Sequence, residues 1–148
     1  MNALPPARLE RLRQLSHDGQ PDSPFSARLG IRLERVEPGT VWASLPTGGA
    51  ALHNPLGILH GGVVASLSDH VMGLAMLSLL PDDEVFSTVE LKVNYLRAVK
   101  SDCTLRAVGK VLKFGRSIAV VESDVFEGEA LVARVSSTCL RMAMRPAP

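Results

Sequence analysis

Asp69 is the side chain with the clearest potential for chemistry, because it interrupts an otherwise apolar stretch of the sequence. Residues from Gly61 to about Leu79 have the pattern of a helix that ends before Pro81. At about 100° per residue, the positions opposite Asp69 are apolar: Val63, Val64, Leu67, Val71 and Leu74. Its own side carries small or flexible residues: Gly62, Ala65, Ser66, Met72, Gly73 and Met76. This pattern predicts a helix covered on both faces, with a second subunit against the small residues and a confined carboxylate between them.

The tripeptide His60-Gly61-Gly62 stands where this helix begins. The first backbone N–H groups of a helix have no partner within the helix, and the positive end of the helix dipole lies behind them. Glycines at this position leave room for a ligand carbonyl to reach those donors, which is the geometry of an oxyanion site. From the residues alone, a histidine at position 60 is more often a loop or capping residue than a catalytic one. Asp69 could likewise face water or accept a hydrogen bond at a subunit seam.

The other elements of the chain predict an α+β fold. A short helix over about Pro5–Ser16 and a loop over Asp18–Pro24 precede a hairpin that turns at Glu37–Thr40. Thr47–Leu59 is rich in turn residues and leads into the long helix. Four strands follow, predicted over Val85–Leu96, Thr104–Phe114, Ser117–Phe126 and Leu131–Ala143. Because short connections join them, these strands are expected to be antiparallel. We divide the chain into an N-terminal helix and loop, residues 1–24, and a main domain, residues 25–145.

Composition excludes several functional classes. The net charge is +1, with 46% hydrophobic and 21% charged residues, so no basic field favours nucleic acid. The sequence has neither an apolar run long enough for a bilayer nor the apolar core of a signal peptide, which predicts a cytoplasmic protein without a membrane partner. Cys103 and Cys139 are expected to be reduced thiols. No metal or cofactor is predicted, because His53, His60 and His70 do not have the spacing of metal ligands.

Several motifs together resemble one family. Asn54-Pro-Leu-Gly57-Ile-Leu-His60-Gly61-Gly62, then Leu67-Ser-Asp69 and Gly73-Leu-Ala75, resemble the signature of hot-dog-fold acyl-CoA thioesterases of the phenylacetic acid degradation type. The strand Ser87–Leu96 and the turn Lys113–Ser117 are also similar to that family. The resemblance covers roughly Phe25 to Arg141. It implies a hot-dog fold, in which a curved antiparallel sheet wraps around one long central helix.

The resemblance also implies roles for individual residues. Asp69 matches the carboxylate that acts as nucleophile or general base, and Gly61 matches the residue whose N–H polarises the thioester carbonyl. Asn54 and His60 match side chains that orient the carbonyl or the attacking water. Thr88 matches a Ser or Thr near that water, and strict alternation along its strand would place it opposite Val89, Leu91 and Val93. No cofactor is implied.

The family further implies a homodimer whose sites combine the helix start of one subunit with the carboxylate of the other, and a tetramer of two dimers. Cations near the cavity mouth are candidates for binding the coenzyme A phosphates: Arg97, Lys100, Lys113 and Arg116. Leu56, Met72, Met76 and Phe86 predict an apolar acyl site that suits aryl or medium-chain groups. Two alternatives stay open, a non-catalytic acyl-CoA-binding module and a hydratase or dehydratase on the same fold. No Gly-x-Ser-x-Gly motif is present, which excludes the α/β-hydrolase route.

Overall fold

The computed structural model describes residues 7–100 and 102–144 and has one helix held in a curved sheet. The sheet has six antiparallel strands in the order β1-β2-β4-β5-β6-β3. The helices are α1 (Ala7–Asp18), α2 (Pro24–Leu29) and the central α3 (Gly61–Leu77), with a single 3-10 turn at Ala50–Leu52. The strands are β1 (Arg32–Glu37), β2 (Thr40–Pro46), β3 (Glu84–Tyr95), β4 (Thr104–Phe114), β5 (Ile118–Glu127) and β6 (Ala130–Ala143). The predicted α+β arrangement and the hot-dog wrapping of the sheet around α3 are confirmed.

The predicted elements agree with the structure except near the N-terminus. The start of the first predicted helix, at Pro5, lies outside the described residues, and α1 continues to Asp18. Helix α2 was not predicted, because six residues are too few to show a helical period. Its local signals are clear in retrospect. Ser23 and Ser26 form a reciprocal capping box, and Gly30 ends the helix with a φ of 76°.

The position of α3 depends on a glycine in the facing strand. A Cβ added at Gly109 of β4 would lie 2.6 Å from the carbonyl carbon and oxygen of Val71. The helix backbone therefore rests directly on the strand backbone, which only glycine permits. Leu67 and Val71 are fully buried at this contact layer. The close approach fixes the height of α3 above the sheet, and with it the position of every side chain that the helix presents.

A β-bulge in β3 corrects the predicted orientation of Thr88. Thr88 pairs with Cys139 and Glu90 with Thr138, so Val89 is an extra residue in the strand. Residues directly opposite each other in an antiparallel pair share a face, and Cys139 is buried against the helix. Thr88 therefore lies on the helix side, together with Leu91 and Val93 beyond the bulge. The prediction that Thr88 faces away from Leu91 and Val93 is wrong, because the bulge shifts the alternation by one residue.

Two methionines of α3 pack against the sheet rather than into an acyl site. Met72 and Met76 are buried in a cluster of apolar residues from the last two strands: Ala119, Val121, Val135 and Cys139. The sheet curves round this half of the helix, so it covers more of the helix surface than the apolar positions opposite Asp69. The prediction that both methionines line the acyl site is wrong for this reason. Leu56 is 82% exposed and lies in the loop before α3, where it lines none of the cavities described below.

Candidate active site

The predicted site residues lie at two places along α3. Asn54 and Gly61 line a cavity of about 320 Å³ at the start of the helix. Asp69 and Thr88 line a separate cavity of about 210 Å³ beside the middle of the helix. We call these the helix-start cavity and the carboxylate cavity. Each cavity has its own set of supporting contacts.

His60 is the N-cap of α3. Its Nδ1 accepts a hydrogen bond from the Gly62 N–H at 2.9 Å, and its backbone is extended, with a φ of −65° and a ψ of 131°. The His60 side chain therefore satisfies one of the orphan donors of the first turn. The neighbouring Gly61 N–H has no acceptor among residues 7–100 and 102–144. This donor is left for a ligand at the positive end of the helix dipole.

Asn54 organises the loop that leads to the helix. Its Oδ1 accepts hydrogen bonds from the N–H groups of Leu56 at 2.9 Å and Ile58 at 3.4 Å. Its backbone also bonds Ile58 and Gly57. This use of an Asn side chain to hold its own turn fixes the loop against the cavity. Because Oδ1 is occupied, the NH2 group of the Asn54 side chain is the part that can donate to a ligand.

Tyr95 is a residue of the helix-start cavity that sequence reasoning missed. Its hydroxyl donates to the Gly61 carbonyl at 2.9 Å, and its ring lines the cavity with Asn54 and Gly61. A Cβ on Gly61 would lie 2.9 Å from the Tyr95 hydroxyl, so any side chain there would displace the ring. The available signal was its place two residues after Val93 on the helix-facing side of β3.

The carboxylate cavity is built around one long-range hydrogen bond. The Thr88 hydroxyl donates to Asp69 Oδ1 at 3.0 Å, joining α3 to β3. Asp69 is partly exposed to the cavity, so its second oxygen is available to a ligand or water. Burial raises the pKa of the neighbouring Cys139 thiol, even though Ser137 and Thr88 act in the opposite direction. Cys139 is therefore a neutral thiol at neutral pH, and Asp69 is the acidic side chain that lines this cavity.

Gly73 has a packing reason for its place in the middle of a helix. A Cβ at Gly73 would lie 3.0 Å from Phe86 Cζ. Both residues line the carboxylate cavity, together with Leu74 and Leu77. The missing side chain lets the Phe86 ring lie against the helix and keeps the cavity wall apolar. Phe86 is the one predicted acyl-site residue that lines this cavity.

One chain does not bring the two cavities to one reacting bond. Gly61 and Asp69 are eight positions apart on α3. At 1.5 Å per residue this is about 12 Å along the axis, whereas a carbonyl held by a donor and attacked by a carboxylate or its water needs both within about 3 Å. The residues of a single chain therefore form two half-sites.

The predicted coenzyme A cations are likewise divided between two ends of the sheet. Arg97, exposed, lines the helix-start cavity, and its N–H bonds Val132 on β6. Lys113 and Arg116 are exposed at the β4–β5 turn. The carbonyl of Ser117 in this turn accepts a hydrogen bond from the N–H of Arg141, which lies on β6. Val132 and Arg141 are nine positions apart on β6, which corresponds to about 30 Å. Lys100 is exposed after β3 and lines none of these cavities.

His70 pairs with a residue of the N-terminal segment, although the sequence assigned it no role. Its Nε2 donates to Asp22 Oδ1 at 3.0 Å, and its ring is 5.9 Å from that of Phe25. Burial by itself raises the pKa of Asp22, but the hydrogen bond and charge of His70, with a smaller contribution from Ser26, leave it lowered overall. Among residues 7–100 and 102–144, no three His, Cys, Asp or Glu side chains are grouped to hold a metal ion. No described helix is long and apolar enough to cross a bilayer.

Comparisons with known proteins identify the family of this chain. The family profile described as Thioesterase superfamily matches residues 56–133, just over half of the chain. The 1,4-dihydroxy-2-naphthoyl-CoA hydrolase of Listeria monocytogenes is 30% identical over 97 residues, 66% of this chain and 77% of that protein. The medium/long-chain acyl-CoA thioesterase YigI of Escherichia coli is 28% identical over 130 residues, 78% of this chain and 83% of that protein.

Solved structures give the same result for the fold. A conserved protein from Pseudomonas aeruginosa is 38% identical with a TM-score of 0.76, over 81% of this chain and 94% of its own. A phenylacetic acid degradation protein PaaI mutant from Thermus thermophilus has a TM-score of 0.75 at 22% identity, over 81% and 100% of the two chains. The resemblance seen in the sequence is confirmed, and this chain belongs to the thioesterase superfamily.

Proposed function

We propose that this protein is an acyl-CoA thioesterase that hydrolyses an aryl- or medium-chain acyl-CoA to the free acid and coenzyme A. The observation that carries the proposal is the Thr88–Asp69 hydrogen bond, which holds a carboxylate beside an apolar cavity on a helix whose first N–H is free. The named relatives act on CoA thioesters, which supports the same substrate class here.

The complete site is proposed to form between two copies of the chain. β3 is an edge strand, so its outer N–H and C=O groups are free to pair with another strand. It also exposes large apolar side chains, Val89, Leu91 and Tyr95. Antiparallel pairing of two β3 strands about a two-fold axis exchanges their ends. The helix start of one subunit then lies near the carboxylate cavity of its partner. The distance of about 12 Å between Gly61 and Asp69 of one chain therefore no longer prevents a donor and a carboxylate from acting on the same carbonyl.

In this site the chemistry follows from the two half-sites. The Gly61 N–H polarises the thioester carbonyl, and the dipole of α3 stabilises the negative charge that develops on its oxygen. Asp69 of the partner either removes a proton from water or attacks the carbonyl carbon directly. In the first route water oxygen bonds to carbon, and the thiolate of coenzyme A leaves and takes the proton. In the second, a carboxylate oxygen of Asp69 bonds to the carbonyl carbon as the C–S bond breaks and the thiolate of coenzyme A leaves. Water then cleaves the mixed anhydride to the free acid and the Asp69 carboxylate, and the proton released goes to the thiolate. Thr88 orients the carboxylate, and His60 and Asn54 hold the loop and helix start.

The same exchange of ends accounts for coenzyme A binding. Arg97 lies at the helix-start end of its own chain, whereas Lys113 and Arg116 lie at the opposite end. A two-fold assembly places the partner's turn at the Arg97 end, so all three cations approach one mouth. Lys and Arg are the side chains that pair with phosphate groups. We propose Arg97, Lys113 and Arg116 as the contacts of the nucleotide arm, and a tetramer of two dimers as the final assembly.

Release of free coenzyme A from a panel of aryl and aliphatic acyl-CoAs tests the proposal. Asp69→Ala should lower kcat by about a hundredfold or more for the best substrate, because it removes the general base or nucleophile. Asp83→Ala is the matched control, since Asp83 is exposed in the loop before β3. Acyl-CoA binding without turnover in the wild type would instead indicate the non-catalytic binding module.

Mixing two inactive variants tests the shared site. Asp69→Ala destroys one half-site and Gly61→Pro the other, by removing the N–H. In a mixed dimer one site carries both defects and the other carries none. Random exchange should therefore restore about a quarter of the wild-type activity. No recovery in verified mixed dimers would show that Gly61 and Asp69 do not combine across the interface.

A further inference from the structure

The N-terminal segment closes one side of the carboxylate cavity. Asp22, in the loop between α1 and α2, bonds His70, and His70 lines the cavity next to Asp69. Both side chains are almost buried, with 8% of Asp22 and 11% of His70 exposed. This pair joins the N-terminal segment to α3 strongly, because removing either residue would leave the other buried without a partner.

Asp22 also lines a further cavity, distinct from the helix-start and carboxylate cavities, which we call the second cavity. It has a volume of about 230 Å³ and lies between α1 and α3. Its walls are four leucines, Leu12 and Leu15 of α1 and Leu74 and Leu77 of α3, and its charged residues are Arg8, Arg11 and Asp22. Leu74 and Leu77 also line the carboxylate cavity. The two cavities are therefore neighbours along one apolar surface of α3, with Asp22 in one and its partner His70 in the other.

Helix α1 is fixed at both ends, so the second cavity is a permanent feature of the fold. At one end Arg8 donates to the carbonyls of Pro81 at 3.2 Å and Asp82 at 3.0 Å, in the connection after α3. Leu9 and Leu12 are buried in the main core. At the other end the Asp22–His70 pair ties the following loop to α3. The Arg8 hydrogen bonds and the burial of Leu9 and Leu12 do not involve this pair, so they hold α1 in place when the pair is removed.

We propose that the Asp22–His70 pair is the wall that sets the longest acyl group accepted, and that the leucine-lined second cavity takes the end of a longer chain when the wall is removed. This inference rests on the proposed function. An acyl group whose carbonyl is at Asp69 extends along Gly73, Leu74 and Leu77, because these give the apolar side of the cavity. The second cavity shares Leu74 and Leu77 with this surface, and the Asp22–His70 pair joins a residue of each cavity, so the pair lies between the acyl group and the second cavity. Apolar surface beyond the pair is available only if the pair opens.

A chain-length series tests the wall. Saturated acyl-CoAs from butyryl- to palmitoyl-CoA are compared on the wild type, Asp22→Ala, His70→Ala and Asp22→Asn. Each of the two alanine variants should raise kcat/KM at least about tenfold for chains longer than the wild-type optimum, because several methylenes gain an apolar site. Asp22→Asn keeps the size of the side chain and a hydrogen bond, so its optimum should remain that of the wild type. In Asp22→Ala/Leu15→Phe the ring fills the second cavity, and the gain should disappear.

Two outcomes would overturn the inference. Asp22→Ala could keep the wild-type length profile, or it could lose activity equally for every chain length, which is the signature of a purely structural pair. Binding of non-hydrolysable thioether analogues of the same series gives an independent readout. If the wild type cleaves no acyl-CoA, the proposed function fails, but a shift of binding preference to longer chains in Asp22→Ala still supports the wall.

Discussion

The helix-start cavity and the carboxylate cavity are assembled in different ways. At the helix start, most of the contacts are short-range, since His60 bonds Gly62 and Asn54 bonds residues two and four positions later. The Tyr95–Gly61 bond is a long-range contact of this half. Around Asp69 the contacts are long-range, since Thr88 is 19 positions away in sequence. Local contacts of this kind form wherever the sequence folds into its turn. Long-range contacts exist only when strand register is correct, so the carboxylate half depends on the whole fold.

Replacing Gly61 by proline should have the largest effect on the helix-start half. Proline at the first position of a helix is well tolerated, and the extended backbone of His60 suits a residue before proline. The change therefore removes the free N–H and leaves the helix in place. Loss of one oxyanion donor costs about a hundred- to a thousandfold in kcat. Steady-state hydrolysis of the preferred acyl-CoA measures the loss.

Gly61→Ala is the control for this experiment, because both variants bring a Cβ against the Tyr95 hydroxyl. The alanine variant keeps the N–H, so it reports the cost of displacing Tyr95 alone. We expect Gly61→Pro to be much slower than Gly61→Ala. Equal rates for the two variants would mean that the N–H does not hold the carbonyl and that this half-site acts only through its shape.

Thr88→Val should have a smaller effect, on the carboxylate half. Valine has nearly the same shape but cannot donate to Asp69 Oδ1. A hydrogen bond to a charged group is worth about 1.5–3 kcal/mol, so kcat should fall by about ten- to a hundredfold. Thr88→Ser keeps the hydroxyl and should stay close to the wild type. If Val and Ser variants are equally active, Asp69 needs no positioning by β3.

His60→Ala should affect stability through the short-range contacts of the helix start. The substitution removes the acceptor for the Gly62 N–H. Loss of an N-cap costs about 1 kcal/mol in the free energy of unfolding, which urea denaturation measures. His60→Asn is the matched variant, because asparagine is among the best N-cap residues. If Asn restores stability but not kcat, His60 acts on the substrate as well; if it restores both, the cap is its whole role.

This difference between the halves also explains what the sequence could predict. The helix around Asp69, the free donor at Gly61 and the succession of strands along the chain follow from local patterns of apolar residues, glycines and prolines. The direction of Thr88 did not follow, because a bulge at Val89 changes the alternation and no local signal in the strand marks it. The burial of Met72 and Met76 also depends on how far the sheet curves round α3.

Contacts between distant segments were the least predictable. The Asp22–His70 pair joins residues 48 positions apart, and each residue alone is an ordinary surface type. Tyr95 reaches Gly61 only because β3 runs alongside the start of α3. The cations Arg97, Lys113 and Arg116 were grouped by their chemistry, whereas their separation within one chain depends on the strand order. A two-fold assembly remains the proposal that reunites them.

The smallest expected effect is the acid dependence of stability that Asp22 contributes. Its pKa is lowered in the folded protein, since the opposing effect of burial is outweighed mainly by the His70 hydrogen bond. The unfolded chain therefore binds a proton more readily, so the stabilisation is present above the unfolded pKa of about 4 and is lost as pH falls through the folded value. Asp22→Asn should be less stable than the wild type at pH 6, and the two stability curves should converge in acid.

Urea midpoints measured from neutral to acid pH, with Asp83→Asn as control, test this difference in stability. A constant difference at every pH would mean that Asp22 supports the N-terminal segment through its shape rather than its charge.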